Sequence, residues 1–141
     1  MLSFYSSSSK AVNTEKAVAE CIEKSVGKDF EKASLIIVHS ASGHNFEKML
    51  SKFRSLCPNA EVVGCTGSGV IGNGFVSEAI RSMAVMVLTG DEFVISSTSG
   101  INAASSITVA SKCAKDLIEK SKNIKNMMIL GPGLDVNGDG I

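Results

Sequence analysis

The stretch SLIIVHSASGHNFEKML, residues 34–50, decides how this chain folds. Leu35 to Val38 are four aliphatic residues without polar alternation, which is typical of a strand buried on both faces. A polar turn follows, and Asn45 is a suitable N-cap for a helix. The apolar residues after it recur at the spacing of one helical face: Phe46, Met49, Leu50 and Phe53. A buried strand followed by an amphipathic helix is the repeating unit of an α/β fold.

The same unit precedes this stretch, and another strand follows it. Leu2 to Tyr5 form a short apolar segment, and a helix with Asn13 or Thr14 as its cap comes after a serine-rich turn. Downstream, EVVGC at residues 61–65 reads as a short buried strand. The chain up to this point therefore has the order βαβαβ.

A hairpin and a last αβ pair complete the predicted order. Residues 82–90 and 92–98 flank a Gly-Asp turn signal, which predicts an antiparallel hairpin. Asn102 is a suitable cap for the last helix, and NMMILG at 126–131 reads as another buried strand. We therefore predict an α/β fold with a mostly parallel or mixed sheet, helices on its faces and the order βαβαβ-ββ-αβ.

Length, charge and cysteine content narrow the class of protein. The 141 residues predict a single α/β domain over 1–141. Lysine and arginine total 14, as do aspartate and glutamate, and this zero net charge argues against a nucleic-acid partner. No apolar run is long enough for a membrane span and no secretory signal is present, so we expect no membrane partner and a cytoplasmic location. Four scattered cysteines without paired spacing predict reduced thiols and no metal site.

Small, polar and flexible residues follow each predicted parallel strand. Since the carboxyl ends of parallel strands meet at one edge of a sheet, these residues predict a ligand site there. Two of the loops, at 65–74 and 131–140, are longer than such connections usually are. The absence of tryptophan and of a charge cluster favours a small polar ligand. The predicted ligand-binding residues are Ser40, Cys65, Thr66, Gly67, Ser68, Gly69 and Asp135.

The segment GSGVIG, residues 67–72, matches the glycine fingerprint of dinucleotide-binding loops. In favour of an NAD-type enzyme, a strand precedes it, and Asp91 and Glu92 lie about 20 residues further on, where a ribose-binding acid is expected. Against it, Asn73 and Gly74 are poor residues for a first helical turn. This function is kept as an alternative.

The end of the chain resembles a calcium loop. Positions 1, 3, 5 and 6 of such a loop would be Asp135, Asn137, Asp139 and Gly140. An apolar strand rather than a helix precedes them, and the sequence reaches only position 7. A glycine-rich connection explains the segment better, and we predict no metal.

Cys65 suggests a catalytic alternative. A thiol at the end of a strand near His39 or His44 is a position where a cysteine nucleophile occurs. The opposing interpretation is that Cys65 is a small packing residue. No acid that would orient either histidine stands out in the sequence, so we expect no enzyme activity.

The segment EVVGCTGSGVIG resembles the signature loop of the FIST N-terminal domain family, sensory modules of prokaryotic signal-transduction proteins. The matching residues are Gly64, Cys65, Thr66, Gly69 and Ile71. The flanking strand and helix segments also look like those of the family, so the resemblance covers nearly the whole chain. Gly67 replaces a usual threonine and Val70 a usual glutamate, which removes any ligand contact made by that acid.

The resemblance implies a cytoplasmic, bacterial sensor domain that binds amino acids or similar small metabolites. It also implies a following FIST C-terminal domain and an output module as partners. Haem is associated with some members, so haem is possible by resemblance alone. A purely structural domain that pairs through its sheet edge, as in a homodimer, is the third alternative. Because Ile141 follows a loop that should lead into a helix, we expect a domain truncated at its C-terminal end.

Overall fold

The computed structural model describes residues 1–72 and 74–131. The chain divides into two compact units, residues 1–92 and 93–141. The elements of the first unit are β1 (Ser3–Ser9), α1 (Thr14–Val26), a 3-10 turn (Phe30–Lys32), β2 (Ala33–Ala41), α2 (Phe46–Leu56), β3 (Glu61–Gly67), β4 (Val70–Gly72), β5 (Phe75–Ser77) and β6 (Met83–Thr89). The described part of the second unit contains α3 (Ser106–Lys120). No helix in the described ranges is both long and apolar enough to cross a membrane.

Four strands form a mixed sheet in the order β1-β6-β2-β3. The runs at 35–38 and 61–65 pair in parallel as predicted, since Ile36 lies opposite Val62 and Ile37 opposite Val63. The prediction that the second run is buried is wrong, because β3 lies at the edge of this sheet and none of its residues is buried. Strand β6 is antiparallel to both β1 and β2, so β1, β2 and β3 all point the same way. The predicted α/β class with a mixed sheet is therefore confirmed, with β6 inserted between β1 and β2.

Strand β6 does not form the predicted hairpin with residues 92–98. Both edges of β6 are already hydrogen-bonded, one to β1 and the other to β2. No free edge remains for a third strand. Residues 92–98 carry no strand in the structure. The prediction failed because the turn signal at Gly90 is local, whereas both partners of β6 lie far away in the sequence.

The predicted strand at 126–131 is also absent from the structure. Its apolar side chains are exposed, with Met127, Met128 and Ile129 each about 60% accessible (61, 63 and 59%). An apolar run without alternation is stable as a strand when both of its faces are covered. In the described part of the chain this segment has no such cover, so its composition alone does not make it a strand.

The hydrophobic core of the first unit lies between the sheet and its two long helices. Helix α1 contributes Ala17, Val18, Cys21 and Ile22, and the sheet contributes residues of one face that include Ile36, Val38, Val85 and Val87. From the predicted stripe of α2, Met49 and Phe53 are buried in this cluster. Phe46 and Leu50 are 43% and 37% exposed, so the prediction that all four residues face the core is wrong for these two.

Candidate functional site

The carboxyl ends of β1, β2 and β3 meet at one edge of the sheet, as the sequence predicted. A row of paired residues marks this edge: Ser9 lies opposite Met83, Met83 opposite Ser40, and Ser40 opposite Thr66. Of the predicted ligand residues, Ser40 and Thr66 are thus brought side by side. Thr66 is exposed, whereas Ser40 is buried and its hydroxyl donates to the Ala41 carbonyl at 2.9 Å.

Cys65 lies beside one of the two histidines proposed for it. His39 and Cys65 are register partners on β2 and β3, and the Cys65 Sγ atom is 3.3 Å from Nδ1 of His39. His44 is instead buried at the start of α2, where it contacts Thr14. The structure therefore brings His39 and Cys65 together and places His44 in different surroundings.

The segment predicted as a long glycine loop, residues 65–74, is largely strand, because 65–67 belong to β3 and 70–72 to β4. Gly67, Ser68 and Gly69 are exposed, and the chain then forms β4, which pairs with β5 in an antiparallel ladder. A Cβ built on Gly69 would lie 2.9 Å from the Ser77 carbonyl oxygen, so this glycine allows a close backbone approach. A pyrophosphate cradle needs a helix N-terminus after its glycines. A strand occupies that position here, which removes the structural basis of the NAD-type interpretation.

The predicted ligand residue Asp135 lies outside the described residues, as does the segment that resembles a calcium loop. Among the described residues, no group of three or more His, Cys, Asp or Glu side chains is arranged to hold a metal ion.

A small polar cleft lies at the same edge of the sheet, where α1 and α2 begin. Its volume is about 210 Å³, and its lining residues are Asn13, Thr14, Glu15, Gly43, Asn45, Lys48 and Arg81. None of the predicted ligand residues in the described ranges lines this cleft. It follows the first two strands, whereas the glycine loop follows the third.

Both helices that reach the cleft are capped as the sequence predicted. Asn13 Oδ1 accepts from the Lys16 amide at 2.9 Å, and Asn45 Oδ1 accepts from the Lys48 amide at 2.9 Å. Each helix begins with four amide groups that lack intrahelical acceptors, and a cap satisfies part of this set. The remaining amides and the helix dipoles make the cleft a favourable place for negative charge.

Thr14 joins the two helix starts. Its Oγ1 accepts a hydrogen bond from the Asn45 amide at 3.2 Å and lies 3.2 Å from Nδ1 of His44. This contact involves only Nδ1 and leaves the second ring nitrogen of His44, Nε2, outside it. That atom is buried and has no hydrogen bond of ordinary geometry to a described residue. Burial lowers the pKa of His44 below its ordinary value of 6.5, and the nearby Arg81 guanidinium adds to the effect, while a backbone interaction with Arg81 opposes it.

The connection between β5 and β6 closes the cleft. Arg81 Nη1 donates to the Val12 carbonyl at 2.8 Å, which ties this connection to the one between β1 and α1. Nearby, the Gly43 amide donates to the Ile80 carbonyl at 2.7 Å, and a Cβ on Gly43 would overlap that same oxygen. Sequence reasoning missed Arg81 because its partner is 69 residues away. It noticed Asn13, Thr14 and Asn45, but as helix caps.

The charges around the cleft are of both signs. Lys48 and Arg81 supply positive groups, and Glu15 supplies a carboxylate. Neither the Lys48 nor the Glu15 side chain forms a hydrogen bond within the described part of the chain. Both are therefore available to a bound molecule, and the arrangement suits a small molecule that carries an acidic and a basic group.

The sequence of residues 34–141 matches the FIST N domain family. This range is more than half of the chain and begins in β2, so it includes α2, the glycine loop and Arg81. No curated protein matches the chain. The first turn of α1, which forms one wall of the cleft, precedes the matched range.

Proposed function

Because the chain belongs to the FIST N domain family, whose members are sensory domains of signal-transduction proteins, we propose that it senses a small polar metabolite. The ligand class that we propose is a free amino acid or a molecule with the same charged groups. It binds at the carboxyl edge of the sheet, and a FIST C-terminal domain and an output module in the same protein respond to it. We propose a cytoplasmic location, where thiols such as the four free cysteines stay reduced.

The charge pattern of the cleft carries this proposal. Amide groups at two helix starts and the Arg81 and Lys48 side chains favour a carboxylate, because each places positive charge at the same opening. Glu15, in the first turn of α1, supplies the acceptor for an ammonium group. With a volume of about 210 Å³, the cleft suits a metabolite rather than a large planar cofactor.

The glycine loop supplies a second set of contacts in this proposal. Thr66 and Ser68 are exposed and bring hydroxyl groups, and Gly67 and Gly69 are exposed beside them. Cys65 lies at the base of the loop. Ser40 supports the loop from the neighbouring strand, since it pairs with Thr66 and keeps its own hydroxyl on the Ala41 carbonyl.

The cleft does not suit the haem that the resemblance implies. Haem needs an apolar pocket with an axial ligand, and such pockets usually exceed about 300 Å³. The cleft is smaller and is lined by polar residues. His44 is buried and its Nδ1 contacts Thr14, so it is not a free axial ligand at the cleft. The proposed function therefore uses no haem chemistry.

We propose that binding, not catalysis, is the function of this domain. No carboxylate forms a hydrogen bond with His39 in the described ranges, so the Cys65–His39 contact lacks the third group that orients a catalytic histidine. The NAD-type alternative lacks the helix that it requires.

A thermal-shift screen tests the proposal. Free amino acids at millimolar concentration should raise the melting temperature, since a ligand present at 100 times its Kd stabilises the folded state by about 2.7 kcal/mol. Lys48→Gln and Glu15→Gln should each reduce the shift for the ligand that produces it. Arg54→Gln, an exposed basic residue in the last turn of α2, is the matched control and should leave the shift unchanged. A shift with NAD and none with any amino acid would overturn the proposal.

A further inference from the structure

The contact between His39 and Cys65 bears on the reactivity of the thiol, which ligand sensing does not require. The two residues are directly paired on parallel strands, with Sγ 3.3 Å from Nδ1. Ile36 and Val38 point to the helix-covered core, so the alternation of β2 places His39 on the other face of the sheet. His39 is exposed and Cys65 is partly exposed, so small solutes reach the sulfur.

The other three cysteines lack this combination. Cys21 and Cys57 are buried, and burial raises the pKa of both thiols, that of Cys21 to about 11. Cys113 is partly exposed, but its sulfur lies 3.5 Å from the Ser96 hydroxyl, which is not a base at neutral pH. Among the described cysteines, Cys65 is thus the one that is both partly exposed to solvent and in contact with a base.

A thiol with a neighbouring imidazole is a nucleophile towards other sulfur atoms. The thiolate is the reactive form, and an unassisted cysteine is only a few per cent ionised at pH 7. A base in contact with the sulfur accepts the thiol proton during attack, so the reaction does not depend on the small fraction of thiol that is already ionised. Since no carboxylate in the described ranges forms a hydrogen bond with His39, the pair is suited to a single exchange step rather than to repeated turnover.

We propose that Cys65 is a redox modification site that exchanges with low-molecular-weight disulfides, with His39 as the base. The Cys65 proton passes to Nδ1 of His39 while Sγ attacks one sulfur of the disulfide. The disulfide S–S bond breaks, a new S–S bond forms to Sγ, and the other half leaves as a thiolate that takes the proton from His39. Cys65 is oxidised and the departing half is reduced, and a free thiol reverses the reaction.

This modification places a new group at the start of the glycine loop. Cys65 directly precedes Thr66, and its strand pairing holds it one residue before the paired edge formed by Ser40 and Thr66. A mixed disulfide here therefore adds bulk and charge next to the loop. The domain would then report the thiol–disulfide balance independently of any metabolite in the cleft.

The test uses the 141-residue chain, oxidised glutathione as the probe and mass spectrometry as the readout. We expect one adduct at pH 7, located on Cys65 by peptide mapping and removed by dithiothreitol. Cys65→Ser should abolish it, and Cys113→Ser, the matched control, should leave the rate unchanged. His39→Gln should slow the reaction about tenfold at pH 7 and should react like the wild type near pH 10, where thiols ionise without a base.

Three results would overturn the proposal. They are no adduct on the folded chain, modification of Cys113 at the same rate as Cys65, or an unchanged rate in His39→Gln at pH 7. The melting temperature of each variant, measured without the probe, separates a folded but unreactive protein from a misfolded one.

Discussion

Thr14 Oγ1 lies 3.2 Å from Nδ1 of His44, and this contact joins the first residue of α1 to the residue before the N-cap of α2. The same oxygen accepts from the Asn45 amide, so one buried hydroxyl positions the starts of both helices. Because the cleft lies between these helix starts, its shape depends on this threonine.

Removing the hydroxyl should therefore destabilise the first unit. Thr14→Val keeps the volume but leaves the Asn45 amide and Nδ1 of His44 without their partner, for an expected loss of about 1 to 3 kcal/mol. Urea denaturation followed by circular dichroism gives the value. Thr108→Val, at an exposed position of α3, is the control and should change stability by less than about 0.5 kcal/mol. Equal losses would mean that the contact does not stabilise the fold.

The burial of His44 makes stability depend on pH below neutrality. Its pKa is lowered in the folded protein, so below pH 6.5 the unfolded chain binds a proton that the folded protein does not yet accept. The contribution of His44 to the free energy of unfolding is therefore fully present above pH 6.5. It is lost as the pH drops towards the folded pKa. In urea titrations between pH 7.5 and 5, His44→Gln should flatten this slope and His39→Gln should retain it. A wild-type slope in His44→Gln would contradict the assignment.

Two phenylalanines of α2 provide a matched test of the core. Phe53 is fully buried and Phe46 is 43% exposed, although both lie on the stripe predicted from the sequence. Phe53→Ala should cost about 3 to 5 kcal/mol because it leaves a cavity, and Phe46→Ala should cost clearly less. The free energy of unfolding in urea measures both. A larger loss for Phe46→Ala would show that the helix is rotated about its axis.

Gly64 should not tolerate a side chain. In the parallel pair of β2 and β3 it lies opposite Val38, and a Cβ on Gly64 would overlap the Val38 carbonyl oxygen. Gly64→Ala should therefore separate the strands and cost more than about 2 kcal/mol. Gly131→Ala has open space around its Cβ and should be nearly neutral. Thermal unfolding compares them, and a mild effect at Gly64 would contradict the close approach.

The hydroxyls of the glycine loop should affect binding and leave the fold unchanged. Thr66→Val and Ser68→Ala change exposed side chains, so the melting temperature without ligand should stay the same. Each should weaken binding by about 0.5 to 1.5 kcal/mol if its hydroxyl contacts the ligand. Calorimetric titration with the amino acid from the thermal screen measures this. Unchanged affinity in both variants would show that neither hydroxyl contacts the ligand, which would leave the cleft as the binding site.

Gly69 is less useful for that purpose. Its backbone does not have a positive φ, so a side chain there is not excluded for that reason. A Cβ on it would nevertheless lie 2.9 Å from the Ser77 carbonyl oxygen. Gly69→Val would thus disturb the β4–β5 hairpin as well as any ligand, and a loss of binding in that variant would have two explanations.

Local patterns predicted those parts of the fold that depend on neighbouring residues. The aliphatic run at 35–38 became the buried β2, and Asn13 and Asn45 cap their helices because capping needs residues only three positions apart. The parallel pairing of β2 with β3 also followed, since one helix connects them. These features need no information about distant parts of the chain.

Long-range pairing explains the errors. The sequence of β6 shows a buried strand, but it does not show that β6 lies between β1 and β2. The cleft was missed for the same reason, because Arg81 reaches it through a bond to Val12. The sequence correctly placed Ser40 and Thr66 at the same edge of the sheet, since the direction of parallel strands determines which strand ends lie together.

The position of β6 also determines when the sheet is completed during synthesis. Its two neighbours, β1 and β2, leave the ribosome first, yet neither has this partner until residues 83–89 emerge. Until then β1 has no strand to pair with, and its serine-rich sequence is less prone to aggregate than an apolar one would be. Because the sheet depends on contacts between distant residues, folding should be slow compared with that of a helical protein of this length. The polar sequence of β1 thus lowers the risk of aggregation until β6 has been synthesised.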